Sequence, residues 1–241
     1  MTRLDIALSD KGLCKSRSHA KEAILKGNVL VNDRAVQKPS FEINDNDNIK
    51  VINPDNYVGR GAYKLLQAFD DFNIDVSDKV VMDIGASTGG FTQVLLEKGV
   101  KKAYAIDVGH DQLDPIIKND ARVVVMEGTD IRNLKPSDIP DVIGFITCDV
   151  SFISLKKIAK EIAGFMYVGS KALFLIKPQF EAGRENIDKN GIVKNSEIRM
   201  KSVKSTEAFI NGQGIRTLGL RECLTRGKEG NIEFLLYAEK S

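Results

Sequence analysis

Val80-Val81-Met82-Asp83-Ile84 runs directly into Gly85-Ala86-Ser87-Thr88-Gly89-Gly90-Phe91, and this stretch decides the fold. An apolar, β-branched run is a buried strand. The glycines behind it allow left-handed backbone and close approach of a ligand. The apolar spacing that follows, over 89–98, is helical. A strand that turns on glycines into a helix presents free N–H groups at the helix start, where an acceptor can bind. The spacing is D-x-G-x-x-x-G-G, not the G-x-G-x-x-G that cradles a dinucleotide pyrophosphate.

Moving outward, apolar runs recur at 80–84, 103–108, 123–126, 142–148, 172–176, 215–220 and 232–238, with helical patterns at 61–72, 89–98, 153–166 and 197–210. Strands alternating with helices predict an α/β fold with a mostly parallel, doubly wound, seven-stranded sheet. No helix fits between the last two runs, so they should form an antiparallel hairpin across Arg226-Gly227-Lys228-Glu229-Gly230.

Acids close successive strands. Asp107 lies 22 residues after Gly85, at the end of Ala103-Tyr104-Ala105-Ile106 and before Val108. A carboxylate there can accept both hydroxyls of an adenosine ribose. Asp130, followed by Ile131, closes the next strand and could meet the adenine amino group. With Asp83, three strand ends carry an acid. That set suits a nucleoside bearing a positive sulfonium, S-adenosylmethionine, which needs no pyrophosphate clamp. Asp149 closes the buried run Ile143–Cys148, and the run Leu173–Ile176 delivers Lys177 to the same edge. A lysine leaving an apolar strand is either a functional group in a crevice or one half of a salt bridge at the strand end.

A literal G-x-S-x-G, Gly85-Ala86-Ser87-Thr88-Gly89, invites a serine-hydrolase reading. The only histidine after it is His110, three residues beyond Asp107. Hydrolases of that kind place acid and histidine on separate late loops, so the reading is set aside.

Composition narrows the class. The chain of 241 residues is 42% hydrophobic and 28% charged, enough for one large core and a small second one. No apolar run is long enough to span a membrane, and Met1-Thr2-Arg3-Leu4-Asp5 is not the start of a secretory signal. Three scattered cysteines and two histidines argue against disulfides and bound metal. A cytoplasmic protein is expected.

Net charge is only +2, but residues 1–40 hold eight basic and four acidic residues. We expect residues 1–55 to form a small α+β RNA-binding domain, with Ser16 and Ser18 capping a basic helix, Gly27 ending it, and two strand–turn–strand units at 28–36 and 43–51. Its phosphate contacts would be Arg3, Lys11, Lys15, Arg17, Lys21, Lys26 and Arg34, joined by Arg60 at the end of a linker at 56–60. The catalytic domain would occupy 61–241.

The combination of Arg60-Gly61-Ala62-Tyr63-Lys64-Leu65, Asp83 to Phe91, Asp149 to Leu155, Lys177 to Gly183 and Gly230-Asn231-Ile232-Glu233-Phe234 resembles the TlyA/hemolysin A-like rRNA 2′-O-methyltransferases, which share an FtsJ-like, Rossmann-like methyltransferase domain. Arg3-Leu4-Asp5, Ser16-Arg17 and Gly27 to Asn32 resemble the alpha-L RNA-binding motif. The resemblance implies a catalytic set Lys64, Asp149, Lys177 and Glu233. It also implies S-adenosylmethionine bound around Asp83, Gly85 to Phe91, Asp107, Val108, Asp130, Ile131 and Asp149, with ribosomal RNA or ribosomal subunits as the partner. His110 to Pro115 departs from the family, where an aromatic residue is usual, and so does Glu222 to Thr225. The competing reading is a non-catalytic RNA-binding assembly factor, against which the four site residues argue. A membrane-lytic role, which the hemolysin label suggests, finds no apolar span or lytic helix.

Overall fold

The computed structural model describes residues 2–241 except 15, 26, 52–56 and 228. The chain divides into two compact units, Met1–Tyr57 and Val58–Ser241.

In the first unit, β1 (Thr2–Arg3) leads into α1 (Leu4–Asp10), α2 (Arg17–Leu25), β2 (Val29–Val31), β3 (Arg34–Ala35), β4 (Glu42–Ile43) and β5 (Ile49–Val51). Leu4, Leu8, Ala20, Ile24, Val29 and Ile43 form its core. Ser16 caps α2 by accepting the His19 N–H at 3.2 Å, whereas Ser18 lies inside the helix. Gly27, at φ +74°, stops it in the left-handed region. Asn32 and Asp33 are also left-handed, at 51° and 61°, which gives the turn that closes β2 on β3.

Residues 43–51 form the expected strand, turn and strand, but the two strands do not pair with each other. Two-residue β4 pairs with β1, and β5 pairs with β2. The polar turn explains the parting: Asn32 Nδ2 donates to Asp47 Oδ1 at 2.8 Å, and Asn48 N–H donates to Asn32 Oδ1 at 2.9 Å. These bonds draw 47–48 toward the β2–β3 turn instead of folding it onto β4.

In the second unit α3 (Ala62–Phe72) precedes β6 (Val80–Ile84), α4 (Gly90–Glu97), β7 (Lys102–Ile106), α5 (Pro115–Lys118) and β8 (Val123–Met126). The chain continues through β9 (Phe145–Cys148), α6 (Ala159–Phe165), β10 (Lys171–Ile176), α7 (Pro178–Glu181), α8 (Ser196–Asn211), β11 (Ile215–Glu222) and β12 (Phe234–Lys240). The seven strands lie in the order β11-β12-β10-β9-β6-β7-β8. β12 is antiparallel to both its neighbours, and the other contacts of the sheet are parallel. Phe145, Ile146 and Phe174 are fully buried in the middle of the sheet, as expected where helices cover both faces.

The expected linker is shorter at its far end: Val58 N–H already donates to Gln93 Oε1 on α4 at 2.9 Å, so 58–60 belong to the second unit. The helix expected over 153–166 is broken. Ser154 Oγ accepts the Lys156 N–H and caps a 3₁₀ turn, Leu155–Lys157, before α6 begins. Among the described residues no helix is long and apolar enough to cross a membrane.

The order of strands fixes where a ligand can sit. From β6 the chain winds outward through β7 and β8, then returns to β9 on the other side of β6. The carboxyl ends of β6 and β9 therefore flank a topological switch point, and a crevice opens there.

Candidate active site

The glycine turn follows β6. Gly85 has φ +83°, and a Cβ placed on it would lie 2.4 Å from the Asp149 carbonyl oxygen. Only glycine lets the exits of β6 and β9 come this close. Gly89, at φ +94°, starts α4; its bare Cα faces Leu113 and Ile117 rather than the crevice.

Asp83 does not reach the crevice either. It has no exposed surface, and its two oxygens accept the hydroxyls of Thr92 (2.6 Å) and Thr147 (2.8 Å). Burial pushes its carboxyl up to about 6. The direct cofactor contact expected of Asp83 is thus replaced by a brace beneath the turn, because the strand alternation points it into the core.

Asp107 ends β7 and accepts two backbone bonds at 2.8 Å, from Ser87 N–H on one oxygen and Gly109 N–H on the other. It lines a cavity of 610 Å³ together with Val108, Asp130, Ile131 and Arg132. Val108 is 68% exposed, an apolar face beside the carboxylate. Asp130 is gripped by Arg132, whose Nε donates at 3.0 Å to both of its oxygens, and that hydrogen bonding holds the carboxyl below the usual range. Ser87 directs its hydroxyl at Gln112, not at a histidine, so the hydrolase arrangement is absent.

A second cavity, of 560 Å³, is lined by Ala86, Thr88, Gly90 and Phe91 of the turn and helix start, and by Lys64, Asp149, Lys177 and Glu233. Gly85, Ser87, Asp149, Ser151 and Phe152 line both cavities, so the two adjoin.

The four residues sit as two lysine–acid pairs. Lys64, in the first turn of α3, places Nζ 2.5 Å from Glu233 Oε2, and both side chains are buried. Burial pulls the Lys64 ammonium down, but the neighbouring Glu233 and Asp149 charges and the Glu233 hydrogen bond outweigh it, and the net direction is up. Gln179 Nε2 donates to the other Glu233 oxygen at 3.0 Å. A Cβ on Gly227 would lie 2.5 Å from that oxygen, so a side chain there would push Glu233 from its place. In the second pair, Lys177 Nζ stands 2.6 Å from Asp149 Oδ1, an ionic contact without hydrogen-bond alignment, and donates to Ser151 Oγ at 2.9 Å.

Sequence reasoning missed several of these neighbours. Gln179 and Ser151 were legible only as polar residues beside a strand end. Phe152 is the largest omission. It is 91% exposed at the boundary of the two cavities, with φ +65°.

Of the basic residues expected to meet RNA, Lys11, Lys21 and Arg34 are exposed on the first unit, and Arg60 is exposed where it lines the 560 Å³ cavity. Arg3 and Arg17 have a second engagement: each places Nε 3.0 Å from Asp5, whose side chain is fully buried. The Arg3 hydrogen bond, helped by Arg17, holds the Asp5 carboxyl down to about 2. Both arginines are therefore structural at one edge and exposed at the other. Lys15 and Lys26 lie outside the described residues.

A mostly parallel seven-stranded sheet ending in an inserted antiparallel strand, with an acid-lined crevice at its switch point, defines a Rossmann-like fold of the methyltransferase class. The FtsJ-like methyltransferase model matches residues 57–240, and the chain belongs to that family. An S4 domain model matches residues 2–49. The chain is 41% identical to hemolysin A of Brachyspira hyodysenteriae, over 98% of each chain. It is 35% identical to the 16S/23S rRNA (cytidine-2′-O)-methyltransferase TlyA of Mycobacterium tuberculosis, over 98% of this chain and 88% of that one. A solved structure, a candidate hemolysin of Streptococcus thermophilus, superposes with a TM-score of 0.77 at 40% identity, covering 100% of this chain and 88% of that one.

Proposed function

We propose that the protein is an S-adenosylmethionine-dependent methyltransferase that modifies the ribose 2′-hydroxyl of a cytidine in ribosomal RNA, working in the cytoplasm on ribosomal subunits. The observation that carries this reading is the pairing of Lys64 with Glu233 and of Lys177 with Asp149 beside the Asp107 cavity. The cytidine-specific TlyA relative supports the choice of substrate.

The residues fit the cofactor. Asp107 keeps lone pairs free for two ribose hydroxyls, Val108 offers an apolar face to an adenine ring, and Asp149 supplies negative charge where the cavities join. When bound, S-adenosylmethionine supplies a methyl group on a positively charged sulfur. The protein's own residues do the rest. Lys64 keeps its proton, so it and Glu233 serve to hold and orient the ribose. Lys177, at the cavity wall, acts once its own proton has left to solvent: the neutral Nζ takes the 2′-hydroxyl proton, and Asp149 stabilises the ammonium that is restored. Most of the rate advantage lies in holding the hydroxyl in line for attack. Phe152 offers the target base an exposed ring on which to stack. The basic first unit contributes phosphate contacts.

The test is transfer of a tritiated methyl group to isolated 30S and 50S subunits, with cofactor affinity measured by calorimetry. Lys177→Ala and Lys177→Arg should both lose ~100-fold or more in turnover while binding the cofactor normally, since guanidinium cannot accept a proton. Near-normal turnover by Lys177→Arg removes Lys177 as the base. Cofactor binding by the wild type without transfer to either subunit would favour a non-catalytic assembly factor.

A further inference from the structure

Phe152 combines two unfavourable features. A bulky residue at φ +65° is strained, and a ring 91% exposed gains almost nothing from burial. Such a conformation persists only where the surroundings over-determine it.

The restraint comes from α7, the short helix that follows Lys177. Glu181 Oε2 accepts the Ser154 hydroxyl at 2.6 Å, and Oε1 accepts the Leu155 N–H at 2.7 Å. Leu155 is buried, so the segment is fixed at that end. The Asp149 N–H bonds to the Ile84 carbonyl at 2.9 Å and fixes the other end. The ring of Phe180 packs against Phe152 with centroids 5.3 Å apart. The Glu181 carboxylate therefore ties the far end of the loop leaving β9, beyond Phe152, to the exit of β10, while Lys177 holds the near end through Asp149 and Ser151.

We propose that Glu181 is a positioning residue for RNA: it holds the 149–155 loop so that Phe152 presents its ring to the target base. This inference rests on the reading of Phe152 as a stacking platform. Glu181 touches neither cofactor nor RNA and acts only through the loop. A Gln in its place keeps one acceptor for the Leu155 N–H, and its amide can donate to the Ser154 oxygen, so the conservative variant should preserve the tie. Ala removes it.

Two measurements test this. The chain has no tryptophan, so Phe152→Trp installs a sole indole reporter at the site. Adding Glu181→Ala to that variant should lower its fluorescence anisotropy and raise its quenching by acrylamide, and adding Glu181→Gln should change neither. This readout needs no catalysis, so it stands even if the assignment of the reaction fails. The second measurement is a double-mutant cycle on subunit methylation. Glu181→Ala and Phe152→Ala should each raise KM for the subunit by ~10-fold, the scale of one lost stacking contact, with unchanged cofactor affinity. Together they should be no worse than Phe152→Ala alone, within ~2-fold. Unchanged anisotropy in the Glu181→Ala reporter, fully multiplicative effects on KM, or loss of cofactor affinity would each overturn the proposal. A wild-type KM in Phe152→Ala would overturn the stacking platform, and this proposal with it.

Discussion

The buried Lys64–Glu233 pair allows stability and chemistry to be separated. Glu233→Gln preserves the shape of the side chain but removes its charge. The wild-type carboxylate takes Lys64 on one oxygen and the Gln179 amide on the other. A glutamine keeps one acceptor for the Lys64 ammonium, and its NH₂ can donate to Gln179 Oε1 if that amide turns over, so what the substitution removes is the charge. Lys64, only 8% exposed, is left without its bonded counter-charge, with the Asp149 charge as its remaining neighbour. Removing one partner of a buried ion pair costs about 3–5 kcal/mol. For a unit the size of Val58–Ser241 that corresponds to a fall in Tm of about 6–20 °C. Lys64→Met should destabilise comparably, by leaving the carboxylate alone. The double variant Lys64→Met/Glu233→Gln should recover most of the loss, since no unpaired charge remains, yet methyl transfer should be absent from all three. Thermal unfolding followed by circular dichroism, alongside tritium incorporation, measures both quantities. A Glu233→Gln variant that melts within ~2 °C of the wild type, or a double variant whose loss equals the sum of the single ones, would refute the reasoning.

Three further outcomes follow from the acids. Asp107→Ala should weaken S-adenosylmethionine binding by ~10-fold or more, because two hydroxyl contacts worth ~1 kcal/mol each disappear; equal calorimetric affinity would count against the assignment. Asp83, raised from 3.8 to about 6, binds its proton more tightly folded than unfolded, so its contribution to stability falls as pH rises through that window. Asp83→Asn should therefore flatten the pH dependence and gain up to about 3 kcal/mol at pH 8 but nothing below pH 4, read from urea midpoints. Asp5 behaves oppositely: lowered to about 2, it stabilises the first unit above its unfolded value of 3.8, and that support fades as pH falls through 2. In Asp5→Asn, amide exchange across 2–51 should quicken at pH 7 and match the wild type near pH 2; unchanged exchange at pH 7 would show that the Arg3 and Arg17 contacts hold nothing.

What the sequence disclosed was what local rules govern. Gly27 ending a helix, the strand–glycine–helix passage at 80–91 and the closing hairpin follow from residue type and spacing, and the structure has each of them. Interactions between distant segments were less legible. Periodicity reads 43–51 as strand, turn and strand, as the structure has it, yet which strand each half joins depends on side-chain bonds to Asn32. Asp83 looks like a site residue because it precedes the glycines, but the two threonines that claim it lie on α4 and β9. The family resemblance points to four site residues without saying who pairs with whom. The left-handed backbone of Phe152 carries no sequence mark at all, since the usual signals for that region are glycine and asparagine.

The insertion of β12 between β10 and β11 also bears on when the protein becomes active. Glu233, at the start of that strand, meets Lys64 across 169 residues of chain. Closing a loop of that length costs roughly 4–5 kcal/mol in chain entropy, to be recovered only once β12 has paired along β10. The crevice around Asp107 can form from earlier segments, but Glu233 reaches its place only when the late strand docks. During synthesis, residues 231–240 follow every other part of the site out of the ribosome. Until that strand docks, Lys64 has no Glu233 to pair with, so the buried pair is complete only when the sheet is.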